Sequence, residues 1–149
     1  MPLDMSCIGK SYPPQAPYLV SRAKIEEFAD AIGDSNPLYR DPAAARAAGY
    51  DDVLAPPTML TLVNARAIGA LAADPELGLD YARMVHGDQS FVHHRALVAG
   101  DEIAVTTHID NIMARAGNDF LTVRAEIATV TGEALCTATA QLVVRGEDQ

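Results

Sequence analysis

Apolar residues follow two different rhythms along this chain. In the first half they recur at helical spacing, and from Met84 onward they alternate. Ile25, Phe28, Ala29 and Ile32 follow the i, i+3, i+4, i+7 pattern of one helical face. Ser21 before them is an N-cap, and Gly33 after them is a stop. Asp41-Pro42 then supplies a cap and a first-turn proline, "AAARAA" continues as helix, and Gly49 ends it. The stretch "GDSNPLYR" is therefore the connection between two helices. After Pro57 a third helix carries Met59, Leu60, Leu62, Val63, Ile68 and Leu71, with Arg66 its only charge through Ala73. A helix apolar on most sides is expected to be surrounded.

The second half reads as strands near 84–95, 102–112, 120–130 and 134–144, rich in Val, Ile, Thr and Phe. Turn residues punctuate it at Ala99-Gly100-Asp101, Ala116-Gly117-Asn118-Asp119 and Thr131-Gly132-Glu133. Connections this short join antiparallel neighbours. The expected fold class is α+β: a single domain over 1–149, with an antiparallel sheet packed on one apolar helix. A sheet curled around that helix is the hot-dog arrangement. Its edges need pairing or cover, so a dimer is expected.

Composition narrows the classes. The chain has 149 residues, and 49% are hydrophobic, enough for one sizeable core. No apolar run reaches the ~18 residues of a membrane span. "MPLDMSCIGKSYPP" has an early acid and no apolar h-region, so no secretory signal is read there and a cytoplasmic protein is expected. Cys7 and Cys136 are far apart and form no CxxC, metal spacing or disulfide framework, and Cys136 reads as a buried thiol. A net charge of −9 argues against nucleic acid. It leaves room for phosphorylated ligands such as coenzyme A, because Arg22, Lys24, Arg40 and Arg46 lie near the helix connection.

That connection carries the candidate chemistry. A partly shielded carboxylate at Asp34 can act as general acid or base, and Asn36 beside it can orient a water or hydroxyl. Asp and Asn are also the usual residues of turns, where their side chains cap local backbone donors.

"AIGDSNPLY", the Asp-Pro-Ala helix after it, the Ala-Pro-Pro-Thr start of the apolar helix and "VHGDQSFVHHRALVAGDEI" occur in this order. Together they resemble the MaoC-like (R)-specific hydratases and dehydratases. The branch they most resemble is the FAS1-like dehydratase type that includes the HadA-like subunits of actinobacteria. The resemblance runs from about Ile8 to Arg145. It implies a hot-dog fold, no cofactor, and an acyl thioester ligand on coenzyme A or acyl carrier protein. Catalytic members carry Gly-Asp-x-Asn-Pro-x-His. By position, Asp34 matches their aspartate and Asn36 their asparagine, and Tyr39 stands where the histidine belongs.

Two departures follow. Dehydrating a 3-hydroxyacyl thioester needs a base for the C2 proton and an acid for the leaving hydroxide. Imidazole, with a pKa of ~6.5, serves either role. A phenol at ~10 accepts no proton without a large shift, although Tyr39 could donate a hydrogen bond. The family also sets the thioester carbonyl at the start of the central helix, often an Ala-His-Gly-Met-like segment, where backbone N–H groups stabilise an oxyanion. Here the segment is Ala55-Pro56-Pro57-Thr58-Met59. Thr58 and Met59 can donate, whereas the prolines have no N–H. Among the histidines, His93 and His94 point to opposite faces of a strand, so at most one faces inward. His108 lies in an ordinary alternating strand. His86 is the substitute to test first. No pair has metal-ligand spacing, so no metal is expected.

The reading these features carry is a subunit of a (3R)-hydroxyacyl-thioester dehydratase, a hydro-lyase. It would shape the acyl channel while a MaoC-like partner supplies the Asp/His pair. The alternatives are a self-sufficient homodimeric hydratase using Asp34, assisted by Tyr39 or His86, and an acyl-thioester binding module without catalysis. Hot-dog thioesterases as a rule lack the GDxNP motif.

Overall fold

The computed structural model describes residues 2–147. Three α-helices form where the spacing places them: α1 (Arg22–Ala31), α2 (Pro42–Ala47) and α3 (Thr61–Ala72). Ser21 caps α1 by accepting from the Lys24 N–H at 3.1 Å, and Asp41 caps α2 by accepting from the Ala43 N–H at 2.9 Å. Gly33 follows α1 at φ 70°, a conformation that costs glycine nothing and lets the chain reverse.

Six strands make one antiparallel sheet. β1 (Ser11–Tyr12) and β2 (Tyr18–Leu19) are two-residue strands that both lie on β4 (Glu102–Arg115). From β4 the order runs through β5 (Asn118–Thr129) and β6 (Ala134–Val144) to β3 (Met84–His93). β3 is an edge: among the described residues it pairs with β6 alone. The long strands match the alternating segments, extended at β4 to Arg115 and ending two residues early at β3. β1 and β2 are too short to show any period, which is why the sequence does not announce them.

Leu121, Val123, Ala125 and Ile127 of β5 and Ala138, Ala140, Leu142 and Val144 of β6 turn one face of the sheet into the core. Ala125 pairs with Ala138, and both are buried in the cluster that also holds Met59, Leu60 and Val63. Two clusters fill the space. One joins α1, the residues before α3 and the inner sheet (Ile25, Tyr39, Met59, Leu60, Ile127, Leu135). The other surrounds the far end of α3 (Leu3, Leu71, Leu77, Ile109, Leu121, Leu142). This is the curled sheet around a central helix.

The central helix differs from expectation in two ways. It starts at Thr61 rather than just after Pro57. Residues from Pro56 to Leu60 are wound in tighter turns, with Met59 N–H on Pro56 C=O and Thr61 N–H on Thr58 C=O, before the first four-residue bond of Asn64 to Leu60. It is also not surrounded. Val63, Asn64, Ala67, Ile68 and Leu71 are buried, but Thr61, Leu62, Ala65, Arg66 and Gly69 are exposed along one face. Both cysteines are buried free thiols, raised in pKa chiefly by burial. No helix among the described residues is long and apolar enough to cross a membrane.

Candidate functional site at the helix connection and the start of the central helix

The connection after α1 is held by its own side chains. Asp34 Oδ1 accepts the Asn36 N–H at 3.0 Å, and Asn36 Oδ1 accepts the Leu38 N–H at 3.0 Å. The second bond caps a single 3-10 turn, Pro37–Tyr39, which the proline at its first position favours. The Asp34 N–H returns to Ala29 C=O at 2.9 Å, which closes α1. Arg40 then reaches back, with Nη1 on Asp30 Oδ1 at 2.6 Å and Nη2 on Asp34 C=O at 2.7 Å. The two side chains with candidate chemistry thus each serve the turn through one oxygen, and both are half-buried.

Tyr39 is buried, at 7% exposure, in the cluster that also contains Val20, Ile25, Met59 and Leu60. Burial, and secondarily the nearby Asp34 charge, push its phenol pKa up. The phenol therefore stays protonated and has even less of its ionised form to accept a proton than in water. Met59 shares that core at 2% exposure, so its side chain faces the interior. The shared cluster packs the turn against the start of α3.

At that start the two expected donors have different fates. Met59 N–H is spent on Pro56 C=O at 3.0 Å. The Thr58 N–H meets no acceptor among the described residues, and Thr58 is exposed. His93 stands beside it, with Nε2 2.9 Å from Pro57 C=O. The strand register explains this. His93 pairs with Cys136 and Phe91 with Ala138, both buried partners, so both side chains lie on the inner face. The two rings stack at 6.0 Å. His94 points outward onto Thr137 Oγ1 at 3.1 Å. His86 pairs with Leu142, on the inner side before the register shift between His86 and Asp88, and it is exposed. His108 bonds Ser11 Oγ. It is His93, not His86, that the fold brings to the start of α3. The inward Phe91 two residues earlier is the signal that could have found it.

A second polar contact links α3 to the same edge strand. Asn64, at 5% exposure, donates Nδ2–H to Gln89 Oε1 at 3.1 Å, and Gln89 Nε2 donates to Thr139 C=O at 3.2 Å. On the opposite flank of α3 an apolar slot runs against β4 between Val63, Ala67, Ile103 and Val105, with the Arg66 guanidinium 5.0 Å over the Tyr18 ring at its side. Its cavity of about 20 Å³ has room for roughly one water, so an acyl chain there requires it to open. Larger hollows of about 350 and 450 Å³ contain none of the candidate residues.

The basic groups near the turn are mostly engaged. Arg22 forms a two-bond pair with Asp52, which it draws down to about 2, and Lys24 pairs with Glu27. Arg46 is exposed at the end of α2. Among the described residues no group of His, Cys, Asp and Glu is placed to hold a metal.

The sequence profile of the FAS1-like, dehydratase domain region matches residues 6–138. A UPF0336 protein of Saccharopolyspora erythraea is 60% identical over 146 residues, which cover 98% of this chain and 94% of that one. In three dimensions the chain is similar to the C-terminally truncated HadBC (3R-hydroxyacyl-ACP dehydratase) complex of Mycobacterium tuberculosis. The TM-score is 0.84 at 26% identity, over 96% of this chain and 99% of that chain. A MaoC-like dehydratase gives TM-score 0.84 at 32% identity over 96% of this chain, which spans 43% of that longer one. With the matched profile, the curled sheet and the ordered motifs in agreement, the chain belongs to the FAS1-like dehydratase family, among the MaoC-like hot-dog proteins.

Proposed function

We infer that this chain is the channel-forming, non-catalytic subunit of a (3R)-hydroxyacyl-thioester dehydratase, and that a MaoC-like chain with an intact Asp/His pair does the chemistry. The observation that carries this is the state of the degenerate motif. Asp34 and Asn36 are used as turn caps, and Tyr39, at the histidine position, is packed into the core. Among the described residues the motif therefore holds no imidazole beside its carboxylate. The ligand that fits the reading is an acyl thioester of coenzyme A or acyl carrier protein, bound without cofactor or metal and with the exposed Thr58 on the binding side; of the other two expected binding residues, Met59 is buried in the core and His86 is not brought to the start of α3.

Two adjacent surfaces support a partner. Among the described residues β3 pairs on one side alone, and the open face of α3 presents Thr61, Ala65 and Gly69 at four-residue spacing. Hydrogen bonds from His93 to Pro57 and from Asn64 to Gln89 hold this edge and this helix together. A second hot-dog domain would extend the sheet at β3 and lay its own helix along the small residues. It would thereby enclose an acyl channel against α3. The chain as a whole is read as one hot-dog domain.

Co-expression with a MaoC-like chain carrying Gly-Asp-x-Asn-Pro-x-His tests the assembly. The expected result is a one-to-one complex that survives size-exclusion and hydrates a crotonyl thioester. A stable homodimer that ignores every such chain and hydrates the thioester by itself would favour the self-sufficient reading. A protein that binds the thioester without turnover in any complex would be a binding module.

A further inference from the structure

The slot between α3 and β4 is closed from outside by a stretch of chain that little ties down. Tyr12 of β1 pairs with Thr107 and Tyr18 of β2 with Ile103, so residues 13–17 cross opposite residues 104–106 of β4 without forming a strand on them. Pro13, Pro14 and Pro17 have no N–H to offer. Among the described residues no hydrogen bond joins residues 13–17 to the rest of the chain. Pro13, Gln15 and Ala16 line the slot all the same. This strap is anchored at each end by a two-residue strand and held between them by packing alone, and it is exposed throughout. Segments of that kind open at low free-energy cost.

Inside the slot, Val63, Ala67, Ala70, Ile103 and Val105 are apolar, and Thr107 interrupts them. Thr107 is 3% exposed, and its hydroxyl meets no hydrogen-bond partner among the described residues. A hydroxyl shut away from water without a partner is costly, and a guest that supplies a hydrogen bond recovers that cost. The closed slot has room for one water there. A plain hydrocarbon would displace that water and leave the hydroxyl unpaired, whereas a chain with an oxygen at the same depth would replace the water's bond. Strand rise separates Thr107 from Ile103 by roughly 13 Å, a length that suits the distal part of an extended chain.

We propose that this slot is a gated site for an acyl chain that carries a hydroxyl or oxo group far from its thioester: residues 13–17 swing away to admit the chain, and the Thr107 hydroxyl bonds its oxygen. The proposal rests on the reading of this protein as an acyl-thioester subunit and adds the class of chain that the subunit selects. An oxo oxygen accepts from the Thr107 O–H, and a ligand hydroxyl either accepts or donates.

The test uses the full chain, with its partner where one binds, and pantetheine thioesters of crotonate, of dodecanoate, and of dodecanoates hydroxylated at successive carbons of the distal half. By calorimetry, one hydroxylated member is expected to bind about three- to tenfold tighter than the plain dodecanoyl thioester. Thr107→Val, of nearly the same shape, should erase that preference and bind the plain thioester at least as well as wild type, with a thermal melt showing that it folds. Gln15→Cys combined with Ala70→Cys places one thiol on the strap and one on α3, both lining the slot. Joining them with a short bifunctional reagent should weaken every dodecanoyl probe at least about tenfold relative to the unjoined pair and spare the crotonyl thioester. No hydroxylated member favoured over the plain chain, a preference that survives Thr107→Val, or a joined pair that binds the dodecanoyl probes as the unjoined one does would each overturn the proposal, while crotonyl binding keeps the site reading intact. A protein that binds none of these thioesters would overturn both.

Discussion

Tyr39 separates what a residue resembles from what it does. By motif position it stands where the sequence reading expects a histidine; by environment it is a core residue with its phenol pKa raised by burial. Tyr39→Phe should therefore change stability by less than about 1 kcal/mol and leave the rate of the assembled dehydratase unaltered. Tyr39→Ala should cost about 3–5 kcal/mol through the cavity it leaves, measured by urea unfolding. If Tyr39→Phe removed most of the activity, the phenol would have to reach the ligand. Asn36→Ala should cost about 1 kcal/mol by uncapping the Leu38 N–H. At this scale the turn itself was legible, because Gly, Asp, Asn and Pro each have a local backbone role. The burial of Tyr39 was not, because its neighbours Ile25, Met59 and Ile127 come from distant segments. The choice of His93 over His86 likewise depended on register with β6, which one strand does not reveal.

Among the elements, α3 invites two predictions. Gly69 sits within the helix with open space around the position of a Cβ. Gly69→Ala should stabilise the isolated chain by about 0.5–1 kcal/mol and weaken pairing with the partner, a divergence visible by comparing thermal melts with complex yield. A gain in both would show that no second helix approaches there. A clasp ties β1 to the end of α3: Lys10 Nζ lies 2.7 Å from Asp74 and 2.8 Å from Glu76, and the Tyr12 hydroxyl also donates to Asp74. The Lys10 bond first, then that of Tyr12, lowers the Asp74 pKa from 3.8 to about 2. A depressed carboxyl pKa stabilises the fold above the unfolded value and loses that contribution as pH falls through the folded one. Asp74→Asn should therefore cost about 1–2 kcal/mol at pH 5–7, with the gap to wild type closing between about pH 4 and 2 in urea titrations. The long strands were legible because alternation marks a half-buried sheet. The open face of α3 was not, because Leu62 and Ala65 have the same apolar character as their buried neighbours.

For the whole molecule, the proposed assembly uses the exposed residues of α3 and the β3 edge, which among the described residues pairs with β6 alone. Ala65→Arg, on the exposed face, should block assembly while leaving the melt of the isolated chain within about 0.5 kcal/mol, as expected for a surface change. The sheet argument leads to the expectation of an edge partner, but a partner's identity is not legible in this chain, because pairing specificity lies in a second sequence. The most direct measurement is the hydration rate of a crotonyl thioester by the chain alone and after addition of the MaoC-like partner. The account predicts no rate above background for the chain alone and an enzyme-like rate for the pair. An enzyme-like rate for the chain alone, abolished by Asp34→Asn, would contradict it.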